Sequence, residues 1–201
     1  MKLRSITESK NNKRFNQILV GIILIGMLSL SILGYAMINN DRLSRKEKIV
    51  YNGIDFINQN NYWIAEINGF QFAFRYNPFQ VAEINSFVNP LNYYYDEPLY
   101  IQSEDDLASA EIYNNLNVFV ERIQPACLNE SSINFTSLNS NYSLNCKGDY
   151  PIKTCDNNFI IIQESNFTNI RQENNCVFIQ APKSDLINVS DEFLFKILGI
   201  D

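Results

Sequence analysis

The chain has 201 residues with 16 Lys+Arg against 22 Asp+Glu and no histidine, which removes Ser-His-Asp and Cys-His nucleophiles, zinc-histidine hydrolysis and imidazole acid–base work. Charge is divided along it: residues 1–48 carry nine basic and three acidic side chains, residues 49–201 seven and nineteen, so the larger part is net −12. Such a surface repels a phosphate backbone and excludes a nucleic-acid partner.

The first element is the uncharged run "ILVGIILIGMLSLSILGYAMI", Ile18 to Ile38. As a helix it would measure about 31 Å, against a hydrocarbon core of about 30 Å, and no small-x-small cleavage site follows it. The expectation is a retained transmembrane helix over 18–38, contacting the lipid bilayer. Lys2, Arg4, Lys10, Lys13 and Arg14 precede it, and Arg42, Arg45, Lys46 and Lys48 follow. That slight excess puts residues 1–17 in the cytoplasm as a basic tail. Residues 39–48 then form a juxtamembrane linker, and residues 49–201 one extracytoplasmic domain, long enough to bury roughly 68–70% of its unfolded surface. The protein is expected at the cell membrane, single-pass, with this domain outside.

Within the domain, "NYWIAEINGFQFAFRYNP" holds Asn68-Gly69, the favoured pair for a two-residue type I′ hairpin turn. That turn opposes Ile67 to Phe70, Ala65 to Phe72 and Trp63 to Phe74, placing all six on one face. Strict alternation with polar residues argues for a core face over a stacking platform for sugars or bases. "PLYIQSE" reads as a strand, Ser103 and Asp106 as a capping box for a helix from Glu104 to about Leu116, and "NVFVERI" as the next strand. Residues 128–150 are polar and read as an exposed loop. "NFIIIQES", "TNIRQE" and "CVFIQA" are β-rich, the last two joined by Asn174-Asn175. The chain closes with a helix N-capped by Ser184, with Leu186, Ile187, Phe193, Leu194, Ile197 and Leu198 as its stripe, a Glu192–Lys196 pair and Gly199 at C′. The pattern is α+β: one mixed or antiparallel sheet of about six strands with two helices.

Cys127, Cys146, Cys155 and Cys176 all lie in the presumed exported part, where disulfides are the default. Of three connectivities, 127–146 and 155–176 close the shorter loops. A zinc site is disfavoured by the lack of C-x-x-C and of histidine. Five N-x-[ST] sequons, at Asn129, Asn134, Asn141, Asn166 and Asn188, are possible glycosylation sites. No P-loop, dinucleotide or EF-hand spacing is present, so no cofactor is expected. Carboxylates are what remains for catalysis: Asp96-Glu97 and Glu104-Asp105-Asp106.

Taken together, "YNGIDF", "NYW", "FQFAFRYNPFQVAEI", the cysteines near "PAC" and "PIKTC", and "NNCVFIQ" leading to "LINVSDEFLFKILGI" resemble a group of uncharacterised membrane-anchored proteins of small-genome archaea. The resemblance implies a cell-surface location and carries over no catalytic residue. The sequence thus points to a non-enzymatic binding or assembly module of the envelope, recognising an envelope or host-cell protein. The competing reading is a carboxylate-dependent hydrolase of envelope glycans.

Overall fold

A computed structural model describes residues 15, 17–32, 47–129, 146 and 149–200. The chain divides between Lys46 and Glu47 into two units.

In the first unit the described helix, α1, covers residues 17–32. Its apolar side chains are exposed all round, from Ile18 and Leu19 to Leu30 and Ile32. Ser29 turns its hydroxyl inward and donates to the Ile25 carbonyl, so even this polar group makes no outward demand. Sixteen residues rise only about 24 Å. Among the described residues no helix is long and apolar enough to cross a membrane. Residues 33–38, the rest of that expected span, the 39–46 part of the linker and the 1–14 part of the tail lie outside the described residues.

The second unit is α+β, stapled by two disulfides, but its strands form three sheets where one was expected. An antiparallel meander comprises β1 (Lys48–Tyr51), β2 (Ile54–Gln59), β3 (Tyr62–Ile67) and β4 (Phe70–Phe74), in that order. Its three turns recur every eight residues, at Asn52-Gly53, Asn60-Asn61 and Asn68-Gly69, with positive φ at both positions of each. This is the type I′ geometry whose twist matches that of paired strands, and asparagine and glycine tolerate it. The β3–β4 register is the expected one, Trp63 with Phe74, Ala65 with Phe72 and Ile67 with Phe70. The hairpin at Asn68-Gly69 was legible; the two earlier turns, which carry the same chemistry, add β1 and β2.

The second sheet is ordered β10-β11-β9-β5-β6: β10 is Asn169–Glu173, β11 Cys176–Ala181, β9 Asn158–Glu164, β5 Pro98–Ser103 and β6 Arg122–Pro125. All its pairings are parallel except the β10–β11 hairpin. Helix α2 (Asp106–Leu116) makes the β5–β6 crossover. The short pair β7 (Cys127–Leu128) and β8 (Ile152–Lys153) completes the set. The strand expected in "NVFVERI" begins later, because Asn117 to Val120 close the helix by turning back on Tyr113 and Leu116.

Helix α3 (Leu186–Leu198) is the middle layer. Phe195 meets Phe74 at 4.7 Å and Phe56 at 6.0 Å on the meander, while α3 also packs on β11. That position buries it on almost every side, including Ser190, Asp191 and Glu192. It ends as expected, with Gly199 left-handed and Ile200 N donating to Phe195 O. Its start differs: a 3-10 turn over Lys183–Asp185 precedes it, and Ser184 makes no cap. Along β5, β9 and β11 both faces are apolar: Leu99, Ile101, Ile160, Ile162, Val177 and Ile179 face the helices, while Tyr100, Phe159, Ile161 and Phe178 form a second cluster with the Cys155–Cys176 bridge. A parallel sheet covered on both faces requires this.

Candidate functional site

Because β5, β6 and β9 are parallel, their carboxyl ends share one side of the sheet, and Ser103, Pro125 and Glu164 close the three strands there. In open α/β sheets ligands bind in the crevice outside these ends. A cavity of about 970 Å³ opens there, lined among others by Ser103, Glu104, Asp106, Ser109, Tyr113, Tyr150 and Glu164. Three exposed carboxylates face it, and among the described residues no lysine or arginine lines it.

The loop from β5 into α2 builds this wall. Asp105 is the true N-cap: its Oδ1 accepts from Leu107 N at 3.0 Å and Ala108 N at 2.8 Å. The helix therefore starts at Asp106, two residues later than the capping box at Ser103 suggested. Ser103 instead folds its hydroxyl onto Asp105 O at 2.6 Å, which sharpens the turn. Glu104 donates its N–H to Ile162 O and accepts Glu164 N at Oε2, at 2.8 Å, tying the end of β5 to the end of β9. Asp106 and Glu164 are left to solvent.

The expected acidic group is split by the fold. Glu104 and Asp106 line the crevice and Asp105 is spent on its cap. Asp96 and Glu97 sit at the opposite end of β5, about 20 Å away along the strand, where Asp96 adopts φ +57° and its N–H donates to Phe119 O. Glu164, 60 positions from Glu104, joins the crevice only through the parallel β5–β9 pairing. Two further acids were not anticipated. Glu111 on α2 and Asp191 on α3 are 3% and 0% exposed, and burial raises both carboxyls above their ordinary range, Asp191 well above it. Neither is marked by a local sequence pattern, since the same acids on outer helices would lie on a solvated face.

Cys127 pairs with Cys146 and Cys155 with Cys176, with Cα separations of 5.6 and 5.0 Å. Among the described residues no group of three or more His, Cys, Asp or Glu could hold a metal ion. On the far face of the sheet Arg122 donates to the Tyr100 hydroxyl and Lys153 lies 4.6 Å over its ring, and the lysine's hydrogen bond holds that phenol below its usual range.

Of the sequons, Asn166 is exposed beside β10. Asn129 is half-buried with its N–H donated to Lys153 O. Asn188 lies within α3, its amide donating to Gln80 O, and the hydroxyl of its sequon partner Ser190 is buried and bonded to Leu186 O, a poor acceptor in the folded domain. Asn134, Asn141 and most of the expected 128–150 loop lie outside the described residues.

No family model, no curated protein and no solved structure matches the chain, so these comparisons lend no support to the expected resemblance to archaeal membrane-anchored proteins.

Proposed function

We propose that this chain is a single-pass, membrane-anchored surface protein whose domain, residues 47–201, is a non-enzymatic binding module. In this reading its acidic crevice takes a cationic side chain of an envelope or host-cell protein. The observation that carries the reading is the crevice at the carboxyl ends of β5, β6 and β9, with Glu104, Asp106 and Glu164 on its walls and no basic side chain among its described lining residues. Anchoring is supported by the uncharged run from Ile18 to Ile38, whose described part exposes apolar side chains all round. A helix apolar on every face needs a nonpolar surrounding. Export is supported by the two disulfides, which persist in oxidising compartments.

The test uses the full chain in lipid nanodiscs and a lysine-rich peptide as probe. Binding that weakens with salt, and that Glu104→Gln with Glu164→Gln reduces about tenfold or more, supports the reading. Equal binding by wild type and the double variant sinks it. The hydrolase reading keeps one specific observation, the same three carboxylates in one crevice; release of reducing ends from an envelope glycan, abolished by Glu164→Gln, would favour it instead.

A further inference from the structure

Glu111 and Asp191 come from different helices and reach the same two residues of backbone. Glu111 Oε1 accepts the Arg75 N–H at 2.9 Å, and Asp191 Oδ2 accepts the Tyr76 N–H at 2.8 Å. These are the residues where β4 gives way to the long irregular segment before β5. Asp191 Oδ1 is buried and has no donor. An ionised oxygen in that position loses its hydration with nothing in exchange.

The surrounding groups supply little compensation. From the β4 end, the Arg75 guanidinium approaches Glu111 with Nε 4.0 Å from Oε2, and it is also stacked over Tyr62 of β3. From α2, Asn115 is committed to Ala73 and to the Glu111 carbonyl. From α3, Lys196 pairs with the neighbouring acid Glu192 at 3.3 Å. Among the described residues the Arg75 guanidinium is the cation placed against this carboxyl pair.

We infer that Glu111 and Asp191 share a single proton, and that this proton is a latch closing the β4 end and the following segment onto α2 and α3, released as pH rises. Placed on Asp191 Oδ1 and donated to Glu111, the proton gives the orphan oxygen its partner and removes one of two like charges. Burial, followed by the Glu111 charge, holds the Asp191 carboxyl well above its ordinary range. A raised folded-state value means that the stabilisation is complete in acid and is lost as pH climbs through that value. Once both groups ionise, two buried negative charges repel, and withdrawing the Arg75 and Tyr76 amides to admit water is the cheapest relief. The segment beyond is pinned to the same neighbourhood by Asn188 on Gln80 O, Glu192 on Ile84 N at 3.2 Å and Gln172 on Asn89 N at 2.7 Å. It displays Phe79 and Phe87, 66% and 86% exposed, so opening the latch frees a segment that carries two exposed phenylalanines.

Amide hydrogen exchange of the full chain, corrected for intrinsic rates, tests this between about pH 5 and pH 9. The amides of Arg75, Tyr76 and Ile84 are expected to lose protection by up to about tenfold per pH unit across the transition. Asp191→Asn keeps an oxygen for Tyr76 and gives Glu111 a permanent N–H, so its protection is expected to stay flat. Glu111→Gln, with the same expectation, serves if that variant does not fold. Flat protection in the wild type, or a pH dependence unchanged by the substitution, overturns the latch.

Discussion

Asn115 pairs with Ala73 as a neighbouring strand would, its Oδ1 accepting the Ala73 N–H at 2.9 Å and its Nδ2 donating to the Ala73 carbonyl at 2.8 Å. β4 is one of the two outer strands of the meander, and an open edge invites pairing with other chains. One turn of α2 away, Glu111 takes the Arg75 N–H. The spacing works because four helical residues rise about 6 Å and two strand residues about 6.7 Å. Side chains four apart on α2 can thus meet every second residue of an antiparallel strand, and the helix ends the sheet.

Asn115→Ala leaves the half-buried N–H and carbonyl of Ala73 without these partners. At about 1–3 kcal/mol for each of the two groups, the expected loss is about 2–6 kcal/mol, read from urea unfolding. A loss under about 0.5 kcal/mol would mean that water closes the edge equally well.

Trp63→Ala and Phe72→Ala each remove a buried ring and are expected to cost about 3–5 kcal/mol. Phe70, on the same face but 48% exposed at the turn, should cost clearly less in the same urea experiment. Equal losses at positions 70 and 72 would contradict the burial gradient along the hairpin.

Lys196 and Glu192 form an ion pair whose side chains are only 7% and 5% exposed. A solvent-exposed i,i+4 pair contributes a few tenths of a kcal/mol. Here Lys196→Met strands a buried charge that also holds Ile84 N, and the expected loss is about 3–5 kcal/mol. Thermal unfolding of Lys196→Met alone and combined with Glu192→Gln checks it; the second change should restore much of what the first removes.

Replacing Cys155 and Cys176 together by alanine opens a loop of 21-residue separation between two positions buried in the second cluster. The expected loss is about 3 kcal/mol. Peptide mapping without reductant should return the pairs 127–146 and 155–176; a crossed pair, or four thiols, would contradict the structure.

Protease added to intact cells should remove residues 47–201 and leave the N-terminal tail behind, if the proposed topology holds. Protection of the domain until the membrane is permeabilised would reverse the orientation.

Local chemistry was readable in the sequence wherever neighbours in the chain decide the structure. Asn68-Gly69 set the β3–β4 register because a two-residue turn leaves one pairing that keeps the aromatic face together, and Gly199 marked the end of α3 because few other residues adopt φ +67° without strain. The cap lies two positions beyond Ser103, since Ser103, Asp105 and Asp106 are all competent and only the path of β5 into α2 selects Asp105. What depends on distant partners waited for the tertiary structure. The parallel pairing of β5 with β9 brings Glu164 to Glu104, and the length of β5 carries Asp96 and Glu97 away from both. The burial of Asp191 and Glu192 follows from α3 lying between two layers, where both its faces are inside and its acids must find backbone donors instead of water, and Glu111 is buried where α2 packs against α3 and β4. No local pattern encodes that, because the same residues on an outer helix would have formed its solvated side.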